Sequence, residues 1–206
     1  MSIQQRRSQE ERSAETKLRL LDATVACLLE LGYHGTTTNA IQQRAGVSRG
    51  ALMHHYASKL ELLVAAVRHL AEQRGENLHQ RAQSLEEGLD RTGQAIDLLW
   101  EIFTGPLFTA NLELWSAART DEELRQAIVE SERGLRAATN TLMGELFGET
   151  AARDPRFMDA IELTLQFMRG AALTAIVRTN SAKQQRFVDL WKAVFAELVG
   201  EEVRNG

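Results

Sequence analysis

Residues 32–63 read GYHGTTTNAIQQRAGVSRGALMHHYASKLELL, two short helical patterns hinged at Gly46, with polar side chains along the second where a core helix would be apolar. Thr37 can accept a first-turn backbone N–H and cap a helix that runs through Ile41 to Ala45. Gly46 ends it, because a tight turn between helices needs a positive φ, which glycine adopts without a Cβ penalty. Val47 then points to the core and Ser48 caps a second helix, Arg49 to Tyr56. On that helix Leu52 and Tyr56 are four apart and share an inward face, which leaves Arg49, Gly50, Met53 and His55 outside. Ser58 with Glu61 makes a capping box ahead of Leu62, Leu63, Ala66, Val67 and Leu70, the start of a longer helix. A helix pair of this kind, polar on its outer side, is the pattern of a helix-turn-helix that reads DNA.

These residues resemble the tetracycline-repressor (TetR) family of bacterial one-component transcriptional regulators. The resemblance covers roughly residues 14–74, and its elements stand here as Gly32, Tyr33, Thr36, Thr37, Ile41, Ala45, Gly46, Val47, Ser48, Gly50, Leu52, His55, Tyr56, Ser58, Lys59 and Leu62. Met53 stands where such proteins usually carry tyrosine, Tyr56 where phenylalanine is usual, Leu60 where an acid is usual, and Gln42 at a tight inter-helix position that is usually alanine. The stem of Gln42 is expected to pack while its amide reaches solvent or a backbone group.

Working outward, the chain is helical throughout, with two prolines and no period-2 segment. Leu18, Leu21, Val25 and Leu28 give a first helix, about Ser13 to Gly32, a buried stripe. The fourth helix runs from Lys59 to about Leu85, and a linker follows around Glu86 to Gly93. Next comes a helix from about Thr92 to Thr104, stopped by Gly105 ahead of Pro106, then another to about Ala118. Thr120 with Glu123 opens a long helix toward Phe147, Asp154 and Pro155 open one to about Arg178, and Ser181 with Gln184 opens the last, ending near Gly200. The fold class is therefore all-α with about nine helices: a three-helix helix-turn-helix head at 1–75 (motif about 37–56) and a helical body at 76–206 for ligand binding and dimerisation, the body's role being what the resemblance implies.

Length and composition agree with this. The 206 residues, 44% of them apolar, suffice for a proper core. The formal net charge of −4 is unevenly spread, since residues 1–75 carry ten Lys plus Arg against seven Asp plus Glu and the remainder carries fourteen against twenty-one. A head at +3 on a body at −7 suits a phosphate-facing domain. The single cysteine, Cys27, excludes an internal disulfide, fits a reducing compartment and reads as a buried hydrophobe. The polar start MSIQQRRSQEERS has no secretory h-region, and no apolar stretch is expected to reach the length of a membrane span, so a cytoplasmic protein without a membrane partner is expected.

A recognition helix presents only three or four side chains to base edges, too few to select one site in a genome, so a two-fold dimer on a palindromic operator in double-stranded DNA is expected. Arg49 has the fork geometry for guanine O6 and N7. Thr37, Thr38 and Asn39 begin the preceding helix, where hydroxyls, amide and free N–H groups can hold phosphate, and Lys59 can do so at the start of the fourth; the resemblance implies a phosphate contact for Lys59. Ser48 caps the reader, Gly50 and Ala51 let its backbone approach closely, and Ala51 can touch a thymine methyl. Met53 lies on the outer face. His55 can serve phosphate or base, whereas His54 reads either as a DNA contact or as a packed ring. Arg6 and Arg7 read either as a minor-groove arm or as an unordered tail.

In the body, Gly170, Ala171, Thr174 and Ala175 offer small residues for close approach, and Phe187, Trp191, Val194 and Phe195 offer apolar bulk. The resemblance implies a homodimer interface of four helices, built from the last two of each subunit. It also implies a small-molecule effector that shifts populations, releasing a protein that is most often a repressor. Trp100, Phe103, Phe108 and Trp115, interleaved with Glu101, Thr104, Asn111, Glu113 and Arg119, could form an aromatic pocket or an ordinary core; Asn140, Met143, Gln166, Phe167 and Arg169 could line other walls.

No cofactor, metal site or catalytic residue is expected. Gly46, Val47, Ser48, Arg49 and Gly50 match the G-x-S-x-G nucleophile elbow, but that elbow needs a strand before it, and IQQRA is helical. His54 and His55, adjacent on a helix, point about 100° apart and make a poor metal pair.

Overall fold

A computed structural model describes residues 3–85, 91–148, 154–178 and 180–199. Among these the chain is all α: α1 (Ile3–Gly35), α2 (Thr38–Ala45), α3 (Arg49–His55), α4 (Lys59–Gln83), α5 (Arg91–Thr104), α6 (Pro106–Ala118), α7 (Glu122–Phe147), α8 (Pro155–Val177) and α9 (Ser181–Val199). Two compact units form. The first combines Met1–Gln73 with Thr109–Gly134, the second Arg74–Phe108 with Leu135–Gly206, and α4, α6 and α7 each run from one into the other. The linker expected at Glu86 to Gly93 lies outside the described residues up to position 90; from Arg91 it is already helical.

Local chemistry explains the first unit. The Thr37 hydroxyl accepts the Ala40 N–H at 3.1 Å, and Gly46 takes the left-handed conformation, φ 63°, that closes α2. Ser48 Oγ accepts the Ala51 N–H at 3.2 Å, and Ser58 Oγ the Glu61 N–H at 3.0 Å, while Glu61 reaches back to the Ala57 N–H at 2.8 Å. One core gathers Leu20, Leu21, Ala23, Cys27, Ile41, Ala45, Leu52, Tyr56, Leu62 and Ala66.

Several boundaries differ from the sequence expectation. α1 starts at Ile3, so the backbone of Arg6 and Arg7 is helical, and it breaks at Gly32 before ending at Gly35. Of the expected stripe, Leu21 and Leu28 are buried and Val25 packs against the core, whereas Leu18 is exposed; Leu20, Ala23, Thr24 and Cys27 complete the buried side, which is set by the face that meets α2. Thr24 tolerates full burial by donating to the Leu20 carbonyl at 2.7 Å. The cap of α7 is Asp121, which accepts the Leu124 N–H at 3.0 Å while Thr120 bonds back to Ala117. The cap of α9 is Asn180, accepting the Lys183 N–H at 3.0 Å, in place of Ser181.

In the second unit, α5 packs on both α8 and α9 and buries Ala95, Ile96, Leu98, Leu99, Trp100 and Phe103. Phe147, Phe157 and Phe195 form a three-ring cluster with centroids 5.2–5.9 Å apart. Asp154 caps α8 as expected, accepting the Arg156 N–H at 2.8 Å ahead of the first-turn Pro155. Contrary to the expectation that no stretch reaches a span, α8 is long and apolar enough to cross a membrane by length and composition alone. The physical reason is that it carries apolar residues on two sides: Phe157, Ile161 and Met168 are buried, and Leu163, Leu173, Ile176 and Val177 are exposed.

Candidate nucleic-acid interface

α3, the expected recognition helix, is pinned from below and open above. Leu52 is fully buried and Tyr56 nearly so, whereas Arg49, Gly50, Met53 and His54 are exposed and Ala51 and His55 half-buried. Arg49 makes no hydrogen bond or ion pair among the described residues, so its guanidinium fork is available. His54 and His55 contact each other edge to face, centroids 5.4 Å apart. At the start of α2, Thr37 and Asn39 are exposed and Thr38 half-buried, beside N–H groups left over at the helix N-terminus. The expected DNA-facing residues therefore share the first unit, on α2, α3 and the start of α4.

Two features of this surface were not visible in the sequence. Arg19 of α1 closes the C-terminus of α2, its guanidinium donating to the Ala45 carbonyl at 3.1 Å and to Gly46 at 3.0 Å; a cation there also complements the helix dipole. Lys59, expected at phosphate, donates from Nζ to the Tyr33 carbonyl at 3.1 Å and sits 4.5 Å over the Tyr33 ring. Half-buried there, its ammonium is held below the usual lysine range by desolvation. Arg44 is engaged by Glu30, whose carboxyl the guanidinium holds below its ordinary range. Ser48 Oγ is used as the helix cap and no strand precedes it, which removes the geometry of a nucleophile elbow.

The family model for bacterial regulatory proteins of the tetR family matches residues 20–66, and the HTH-type transcriptional regulator CymR of Pseudomonas putida is 34% identical over 182 residues, 88% of this chain and 89% of that protein. The chain belongs to the TetR family. It is thus a helix-turn-helix transcriptional regulator and not an enzyme. A Mesorhizobium loti structure described as TetR-family shares the fold at TM-score 0.67 and 22% identity, covering 91% of this chain and 98% of that one. The multidrug binding protein EbrR, solved with proflavin, does so at TM-score 0.58 and 20% identity, covering 89% and 99%.

The TetR-like body residues are distributed unevenly. Trp100, Phe103, Phe108 and Met143 are buried in the second unit, with Phe103 and Phe108 tilted at 5.6 Å. Thr104, Asn140 and Gln166 are exposed, Thr104 bonding back to its own helix and Gln166 bonding to Glu162 and Arg169. Asn111 and Trp115 belong to the first unit, where the Trp115 indole donates to Glu132 at 3.3 Å. Phe167 stacks on Trp191 at 4.8 Å instead of lining a cavity, and the Trp191 indole donates to the Thr164 hydroxyl at 3.0 Å. A cavity of about 80 Å³ in the second unit has a different lining: Arg74, Asn77, Leu78, Arg81, Glu101, Ile102, Gly105 and Leu107.

Among the interface candidates, Gly170, Thr174, Phe187 and Val194 are exposed, and Ala171, Ala175 and Trp191 half-buried. Phe195 is a correction: it is fully buried against Phe147 and Phe157, because it lies four residues beyond Trp191 on the side of α9 that meets the chain's own core.

Proposed function

We propose that this regulator is a homodimeric repressor, acting in the cytoplasm, that reads a palindromic operator with two copies of α3 and is released by a small-molecule effector. The observation that carries the DNA-reading part is the division of α3: Leu52 and Tyr56 lock it to the core, and Arg49 stands exposed with no partner among the described residues. One such helix specifies too few bases, and a two-fold pair reads half-sites about 34–36 Å apart. Arg49 is assigned to guanine, Gly50, Ala51 and Met53 to close approach, His54 and His55 to base or phosphate, and Thr37, Thr38, Asn39 and Lys59 to phosphate.

The dimer surface is the outer side of α8 and α9. Leu163, Leu173, Ile176, Val177, Phe187, Leu190, Val194 and Leu198 are large, apolar and exposed along these two helices. A clustered patch of this kind marks an interface. Effector control draws on the buried aromatic group of the second unit and on EbrR, which is a multidrug binding protein. A cavity of about 80 Å³ is well below the size of a drug-like site, so an effector there requires expansion, and expansion gives it differential affinity for two states.

The test is selection of bound fragments from the source genome with the full chain, followed by sequencing. Enriched fragments should share a palindrome with half-sites about one helical turn apart or a multiple of it. Enrichment without dyad symmetry contradicts the dimeric reading, and no enrichment contradicts operator reading.

A further inference from the structure

Tyr33 is held by Glu113 of α6, Lys59 of α4 and Asp121 ahead of α7, three residues that all lie within the first unit. α1 breaks at Gly32, with φ 67° and ψ −179°, which takes the Tyr33 N–H out of the helical ladder. That N–H donates to Glu113 Oε2 of α6 at 2.8 Å. The carboxylate fits because residue 32 is glycine; a Cβ there would stand 2.9 Å from Glu113 Oε2 in a backbone conformation that L side chains rarely adopt. The Tyr33 carbonyl accepts from Lys59 Nζ, whose charge also lies over the ring. The Tyr33 hydroxyl faces Asp121 Oδ2 at 3.5 Å, and Asp121 is itself the N-cap of α7. Burial, and after it the Asp121 carboxylate, push the Tyr33 phenol above its ordinary range, so it stays a neutral donor.

The position of this junction matters because Lys59 opens α4 only three residues after Tyr56, the residue that closes α3. What fixes the start of α4 therefore fixes the end of the recognition helix. We propose that Glu113 and Tyr33 are positioning residues for DNA reading: the Glu113 carboxylate, seated at Gly32 and bonded to the Tyr33 N–H, sets the end of α1 and, through Tyr33 and Lys59, the start of α4. The inference rests on the DNA-reading function proposed above and adds to it two residues that do not themselves meet DNA.

The experiment measures affinity of the full chain for a selected operator and for a random duplex of equal length, with thermal melting of every variant. Glu113→Gln keeps an acceptor oxygen at the same reach, and Glu113→Met keeps the length without the acceptor. We expect Gln to stay within about twofold of the parent, and Met to lose roughly tenfold for the operator but under about twofold for random DNA, the loss of one charge-assisted hydrogen bond at an ordering site. Lys59→Met combined with Glu113→Met should lose less than the product of the two single losses, since both act on Tyr33. A Met variant equal to the parent, a Met and a Gln variant equally impaired, or independent effects in the double variant would each overturn the proposal. Should Glu113→Met fail to fold, Glu113→Asp decides, because pulling the carboxylate back by one methylene should cost several-fold in operator affinity and an unchanged affinity overturns the assignment. A parent chain with no operator preference is a separate result, and it contradicts DNA reading itself.

Discussion

In the first unit Leu20, Ile41, Leu52 and Leu62 are fully buried within one chain, and the exposed large apolar residues, Leu18, Leu31, Met53 and Val129, are spread over three helices. In the second unit eight exposed large apolar residues line up on two adjacent helices, α8 and α9, which pack against each other. Scattered exposure needs no explanation, whereas a continuous apolar face does. The first unit gathers its large apolar residues around one core and leaves a polar outer face on α3, whereas the second leaves large apolar residues exposed along α8 and α9. Two different kinds of substitution should therefore break the two units.

The largest effect is expected from Leu52→Ala, which removes a fully buried side chain beneath the recognition helix and should destabilise the first unit by about 2–5 kcal/mol in urea unfolding. A loss under about 1 kcal/mol would mean that α3 is not anchored as described. Next, Ile176→Glu with Leu190→Glu places charges on the exposed face and should convert a dimer to monomer at micromolar concentration in sedimentation velocity, a penalty of several kcal/mol for uncompensated like charges at an interface. Unchanged sedimentation would move the interface elsewhere. Ser48→Ala removes the cap of α3 and should cost about 1 kcal/mol in the same unfolding assay. The smallest effect, of opposite sign, belongs to Tyr56→Phe: the Tyr56 hydroxyl is buried with no hydrogen-bond partner among the described residues, so its removal should raise stability by roughly 0.5–1 kcal/mol. A loss of stability would show that the hydroxyl has a partner.

How far these features could be read from the chain depends on how local their chemistry is. Thr37, Gly46, Ser48 and the Ser58–Glu61 pair act on backbone groups within a few residues, and each adopts in the structure the role its spacing implies. The caps of α7 and α9 were displaced by one residue, to Asp121 and Asn180, because two neighbouring side chains could serve and the choice depends on where the first helical turn begins. Leu18 and Leu20 differ by two positions, and only the docking of α1 on α2 decides which is inside. Phe195 and Val194 are adjacent, about 100° apart around α9, yet one is buried and the other exposed, a distinction that apolar composition does not carry. The junction at Tyr33 joins residues 26, 80 and 88 positions apart in the chain, beyond the reach of any periodicity. The return of Thr109–Gly134 to the first unit likewise has no local signature.

The central claim is that α3 reads base edges through Arg49 while the fold beneath it stays unchanged. Its most direct test is the affinity of Arg49→Ala for a selected operator and for random duplex, measured at the same salt concentration with the melting temperature recorded. The expected result is an unchanged melting temperature, a loss of about 1–3 kcal/mol per half-site for the operator, and a much smaller loss for random DNA. Equal losses on both duplexes, or full operator affinity in the variant, would contradict it.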